Sequence, residues 1–166
     1  MKPTPATLPP RMIERVGSQI ATRIVGVGET ALLTQPLLGL IVSRECPGHV
    51  LLETLERVPQ WTQTGRVVVS GFHSPLEQQV FTSLLRRQGR VIKVLARGMA
   101  RYRPRPEERE PLVAGRMLVI SASPPTVTRT TRATALERNR LVLALATEVC
   151  APHVAPDSPL AALLAE

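Results

Sequence analysis

Apolar residues follow two alternating rhythms along this chain. Short, nearly continuous apolar runs occur at Leu37–Val42, Arg66–Val69, Val91–Leu95, Met117–Ile120 and Glu148–Val154. Between them, apolar positions recur every three or four residues. Val50, Leu51, Leu52, Leu55 and Val58 mark one such segment, His49–Gln60. Leu76, Val80, Phe81, Leu84 and Leu85 mark another, Pro75–Gln88, which Gly89 stops. A third runs from Arg132 to Ala146, and Asp157-Ser158-Pro159 opens a last short helix with Ser158 as its N-cap. Continuous runs suit strands buried on both faces, and the longer spacing suits amphipathic helices. Their alternation predicts an α/β fold: a Rossmann-like, mostly parallel sheet with helices on both faces.

Elsewhere the pattern is weaker. Four prolines in Met1–Pro10 suggest a loosely attached segment. Arg11–Ala21 suits a short helix, and Thr22–Thr34 has no clear period. Residues 1–35 are therefore set apart as an N-terminal extension, partly disordered or a short helix, before a domain at 36–166. The polar, Arg- and Pro-rich stretch Arg97–Arg109 reads as a loop, as does Ser121–Arg129.

The sharpest local signal is Val67-Val68-Val69-Ser70-Gly71-Phe72-His73-Ser74-Pro75-Leu76-Glu77. A strand ends in Ser-Gly and a helix starts at once. Ser74 is a good N-cap, Pro75 suits the first helical position, and Glu77 completes a Ser-x-x-Glu capping box. Such a junction aims backbone N–H groups and a positive helix end at one spot, which suits a phosphate. Capping explains Glu77 before catalysis does, while His73 suits phosphate donation or acid–base work.

Ligands of parallel sheets bind beyond the carboxyl ends of the strands. That rule selects Ser43 and Arg44, then Ser70, Gly71, Phe72, His73 and Ser74, then Arg97, and finally Asp157 and Ser158. Arg101, Tyr102, Arg103 and Arg105 form a basic cluster around one aromatic ring, a composition that suits stacking on single-stranded nucleic acid.

Charge sharpens this picture. The 166 residues carry 21 Lys plus Arg against 13 Asp plus Glu, a net charge of +8. Lys2 and Lys93 are the only lysines, so the excess is almost entirely guanidinium, whose planar fork matches phosphate. A basic surplus favours polyanions. Cys46 and Cys150 are far apart and form no metal or disulfide framework. The sequence calls for no cofactor and no metal. Arg11, Glu14, Arg15 and Arg23 interrupt any leader-like apolar core, and no run approaches membrane-spanning length, so the expectation is a cytoplasmic protein without membrane association.

IVSR at 41–44, VVVSGFHSPLEQQ at 67–79, VIKVLARGM at 91–99 and ERNRLVLALATEV at 137–149 together resemble the DNA-processing protein A (Smf/DprA) family. The resemblance covers about Pro36 to Ala155 and is strongest to a short subgroup carrying SGFHSP-x-E. The wider superfamily includes cytokinin-activating phosphoribohydrolases. The resemblance implies a Rossmann-like fold, single-stranded DNA binding, a homodimer and a recombinase partner. It maps a phosphate-facing loop to Ser70–Ser74, a Ser-Arg pair to Ser43–Arg44, and an Arg-Asn-Arg element to Arg138, Asn139 and Arg140. Arg138 and Arg140, two residues apart on a helix, cannot share one face.

Two departures matter. Phe72-His73-Ser74 replaces an Ala-Arg-Gly portion, removing an arginine from the loop. The sequence also shows no winged-helix segment after Ser158. Three functions are weighed. The first is a non-enzymatic binder of single-stranded nucleic acid or a nucleotide-like ligand. The second is a phosphoribohydrolase-like enzyme using His73 or Glu77, although the Pro-Gly-Gly motif of that branch is missing. The third is a nucleotide sensor.

Overall fold

The apolar runs pair side by side and in parallel. In the computed structural model, which describes residues 1–166, they form β3 (Leu37–Leu40), β4 (Val67–Ser70), β5 (Arg90–Val94), β6 (Met117–Ser121) and β7 (Glu148–Cys150). β1 (Thr4–Pro5) and β2 (Val25–Gly28) complete one seven-stranded sheet in the order β1-β2-β6-β5-β4-β3-β7. β3 pairs in parallel with β4 and β7, and β5 with β4 and β6. β2 runs antiparallel to both β1 and β6.

Alternate residues of each strand face opposite layers. Val67, Val69, Ile92, Val94, Leu118 and Ile120 join the core beneath α1 (Pro10–Val16) and α6 (Arg132–Leu145). Val68, Val91, Met117 and Val119 join the core beneath α3 (Gly48–Gln63), α4 (Pro75–Arg86) and α5 (Pro106–Val113). The short helices α2 (Ser18–Ala21) and α7 (Pro159–Leu164) bury little, with Leu163 their one fully buried residue. The fold is the α/β sheet, helices on both faces, that the alternating pattern predicts. No helix is long and apolar enough to cross a membrane.

Three segments differ from the sequence reading. Residues 1–35 are built into the domain rather than set apart from it. Ala6, Leu8, Met12, Val16, Ile24, Leu32 and Leu33 are buried in the core, and β2 pairs with β6 over four residues. Apolar content, rather than proline content, decides their placement. The Arg11–Ala21 helix is split at Gly17, whose φ of +96° suits glycine and breaks the helix. Arg15 ties α1 to the end of α6 by donating to the carbonyls of Ala146 and Leu143 at 2.7 and 3.1 Å. Second, Arg97–Arg109 is not all loop: it contains a turn of 3₁₀ helix at Met99–Arg101 and the start of α5. Third, the last strand ends at Cys150, two residues before Pro152, which lacks the N–H needed to continue a ladder. Beyond it the chain still follows β3, because Ser43 donates its N–H to His153 O (3.0 Å) and accepts from the Ala155 N–H (2.7 Å).

Candidate functional site

The loops after β3, β4 and β5 meet the first half of α6 at the carboxyl edge of the parallel strands. Their geometry is set by a carboxylate from within the chain. Glu77, 5% exposed, accepts from the Val42 N–H (2.9 Å), the His73 N–H (2.9 Å) and the Ser74 N–H (3.2 Å). The donors foreseen for a phosphate at this junction are thus already occupied by Glu77. The anion at the start of α4 belongs to the protein itself, and it staples the loop after β3 to the loop after β4. With both oxygens committed to backbone donors, Glu77 is not placed as a general base. The capping box is reciprocal: the buried Ser74 side chain faces the Glu77 N–H as the Glu77 carboxylate faces that of Ser74.

Other rim residues divide between structural and open positions. Ser70 is fully buried, and its Oγ accepts from the Phe72 N–H at 3.0 Å, closing the turn. Phe72 has φ +48°, a rare conformation for a bulky residue, and is held there by burial against Phe81, ring centroids 4.8 Å apart. Ser43 bridges to Ala155 as described, and Ser158 Oγ donates to Ala155 O and caps α7 by accepting from the Ala161 N–H. Asp157 is exposed at φ +58°. These residues shape the edge without offering it free donors. Arg44, His73 and Arg97 are exposed beside the junction.

Arg138 is the exception among the buried groups. It continues the core face of α6 formed by Leu141, Val142 and Leu145 and is 7% exposed. Its Nε donates to Asn139 Oδ1 at 2.8 Å, but no carboxylate lies within ion-pair distance and neither Nη hydrogen-bonds to protein. Gly71 makes room for it. A Cβ on Gly71 would stand 2.2 Å from Arg138 Nη1 and 2.4 Å from its Cζ. Burial lowers the Arg138 pKa, and nearby Glu77 partly opposes that shift. Arg140 points elsewhere and pairs with Glu166 and Glu137 on the surface.

Two basic hollows meet at Arg138. One, of about 640 Å³, runs past Gly71, Phe81, Arg86, Lys93, Arg97 and Arg105. The other, of about 390 Å³, lies among Arg44, His73, Ser74, Arg132 and Asn139. His73 stands at both mouths, its pKa lowered by partial burial and by the charges of Arg138 and Arg44, against an opposing pull from Glu77.

The wall of the larger hollow is anchored by a second buried carboxylate. Glu108, wholly inaccessible, accepts from Lys93 Nζ (3.1 Å), Tyr102 Oη (2.8 Å) and the Arg105 N–H (3.1 Å). Lys93 also lies over the Phe81 ring. Tyr102 is therefore not a stacking platform: its ring is buried and its hydroxyl is spent on Glu108, with burial and that carboxylate pushing its pKa up. Arg101, Arg103 and Arg105 are exposed, and Arg103 donates to Tyr102 O. Arg132, which the sequence offers with Arg129 as part of a nucleic-acid-facing loop or a polar linker, opens α6 and lines the smaller hollow, whereas Lys93, Arg86 and Glu108 carry no site signal of their own in the sequence reading. For Glu108 a capping signal existed. Arg105-Pro106-x-Glu108 repeats the X-Pro-x-Glu arrangement of Ser74-Pro75-x-Glu77, with the third helical residue returning to the N-cap N–H.

The family model for DNA recombination-mediator protein A matches residues 7–154. The chain belongs to that family. No curated protein sequence matches it. DNA processing protein A (DprA) from Streptococcus pneumoniae superposes over 86% of this chain and 50% of its own, at 22% identity and TM-score 0.68. DNA processing protein A from Helicobacter pylori superposes over 98% of this chain and 74% of its own, at 19% identity and TM-score 0.77. At these identities the likeness is one of fold. This member of the recombination-mediator family spans half the length of the pneumococcal structure.

Proposed function

We propose that this protein binds single-stranded DNA without turnover, seating backbone phosphates along the basic hollows that meet at Arg138. The observation that carries the reading is Arg138 itself: a buried guanidinium with no acidic partner, opposite a glycine, at the carboxyl edge of the parallel strands. Arg86, Arg97 and Arg105 line the larger hollow with it and add positive charge, which favours a polyanion. The Helicobacter pylori relative is described as binding single-stranded DNA. Family resemblance adds a homodimer, a recombinase partner and a cytoplasmic setting to this reading. The phosphoribohydrolase alternative is disfavoured by the commitment of Glu77 to three backbone donors.

The test is a fluorescence anisotropy titration of a labelled oligonucleotide at low and moderate salt. Affinity is expected to fall steeply with salt, by roughly one power of the salt ratio per neutralised phosphate. Absence of binding at low salt contradicts the reading.

His73 adds a pH dependence. Its pKa in the folded protein lies below 6.5, so it is neutral above that value in both folded and unfolded chains. A phosphate seated beside it favours the imidazolium and draws in a proton. Affinity should therefore rise as pH falls from about 8 to about 5.5, and a His73→Gln variant should lose that rise. Without ligand the sign reverses for stability: the folded state loses stability as pH falls below 6.5 and through the lowered folded pKa. Equal pH profiles for the two proteins contradict the role given to His73.

A further inference from the structure

We infer that Glu108 is a positioning residue that withholds the Lys93 charge from the strand, so that the larger hollow grips less tightly than its cations allow; this rests on the strand-binding reading above. Arg86, Lys93, Arg97, Arg105 and Arg138 all line that hollow. Only Lys93 among them has a carboxylate within ion-pair distance, Glu108 Oε2 at 3.1 Å. The Lys93 side chain is 14% exposed, and its ammonium also lies 5.2 Å from the centroid of the Phe81 ring. Both contacts draw the charge back against the wall.

The carboxylate is itself fixed in place. Glu108 is wholly inaccessible, and its Oε1 accepts from Tyr102 Oη at 2.8 Å and the Arg105 N–H at 3.1 Å. Oε2 is thereby turned toward Lys93. Neither donor on Oε1 requires a charge, because an amide oxygen also accepts two hydrogen bonds. Nor is a buried ion pair a ready source of stability, since desolvation offsets the attraction. What the negative charge adds at this position is a fixed hold on Lys93. Glu77 provides the contrast. It stands at the same third position of its helix, commits both oxygens to backbone N–H groups, and leaves Arg138 without an acid. Two helix starts built alike thus act in opposite ways: one leaves a guanidinium open to the strand, and the other holds an ammonium back.

The experiment measures anisotropy of a labelled thymidine oligonucleotide over a series of salt concentrations, for the full chain, Glu108→Gln and the double variant Glu108→Gln/Lys93→Met. The glutamine keeps an acceptor for Tyr102 and Arg105 and releases the ammonium into the hollow. Glu108→Gln is expected to bind about threefold tighter or more, with the slope of log affinity against log salt steeper by about one. Adding Lys93→Met should remove both gains and return the parent's affinity and slope. The double variant replaces the pair by uncharged side chains, so it tests the inference even where the single variant folds poorly. A Glu108→Gln protein that melts with the parent but binds no tighter overturns the restraint. So does a double variant that falls about fivefold or more below the parent with a shallower slope, which makes Lys93 a strand contact in its own right. Either result leaves strand binding by the parent standing. Absence of binding by all three proteins at low salt overturns both readings.

Discussion

An Arg138→Met variant should melt at a higher temperature than the parent and lose most of its affinity for single-stranded DNA. The two signs have one cause. Arg138 is 7% exposed and has no counter-ion, so the unliganded protein bears the cost of a desolvated charge. Burial already disfavours its charged form. Methionine matches the unbranched stem and packs beside Leu141 and Val142 on the same helix face. Replacement of a buried charge by a fitting apolar side chain is expected to stabilise by about 1–2 kcal/mol, a rise of roughly 2–8 °C for a chain of this size. Binding should weaken at least tenfold, about 1.4 kcal/mol. A purely structural arginine would give the opposite melting result. Differential scanning fluorimetry and anisotropy on the same preparation check both signs.

Glu77→Ala should do the reverse and damage the fold. Its carboxylate satisfies three backbone donors from two loops. Removing it leaves the N–H groups of Val42, His73 and Ser74 without their acceptor, and each buried unsatisfied group costs about 1–3 kcal/mol. Water reaching the exposed His73 side reduces the total, and a loss of roughly 3–5 kcal/mol is expected. That corresponds to a fall in melting temperature on the order of 10 °C. Urea unfolding with an unchanged m-value would locate the loss in the native state. A Glu77→Ala protein as stable as the parent contradicts the stapling role.

Both residues show how far the chain could be read in advance. The four strands β3 to β6 announce themselves because interior parallel strands are apolar on both faces, while β7, at the sheet edge, keeps Glu148 and Val149 exposed. β2 escapes notice because its four residues, Val25-Gly26-Val27-Gly28, are half glycine. The helix at Pro75 is legible from its cap, and the equivalent signal at Pro106 is masked by surrounding arginines. Glu77 is legible as a capping residue, but its reach to Val42 depends on which loops the fold brings together. Arg138 follows the apolar spacing of Leu141, Val142 and Leu145 backward by one turn. Its lack of a partner is a tertiary fact: Arg140, two residues on, finds Glu166 at the far end of the chain. Tyr102 misleads for the same reason, since its contact with Glu108 needs α5 in place.

Gly71→Ala is the most direct test of the account, because it alters no charge in the sequence. The added Cβ would lie 2.2 Å from Arg138 Nη1, and the far end of a flexible side chain is what must move. Oligonucleotide affinity should be measured by anisotropy across a series of salt concentrations for this variant and the parent. The predicted result is at least tenfold weaker binding, with the slope of log affinity against log salt shallower by about one. Unchanged affinity and an unchanged slope would contradict the claim that strand binding is organised around the Arg138 guanidinium.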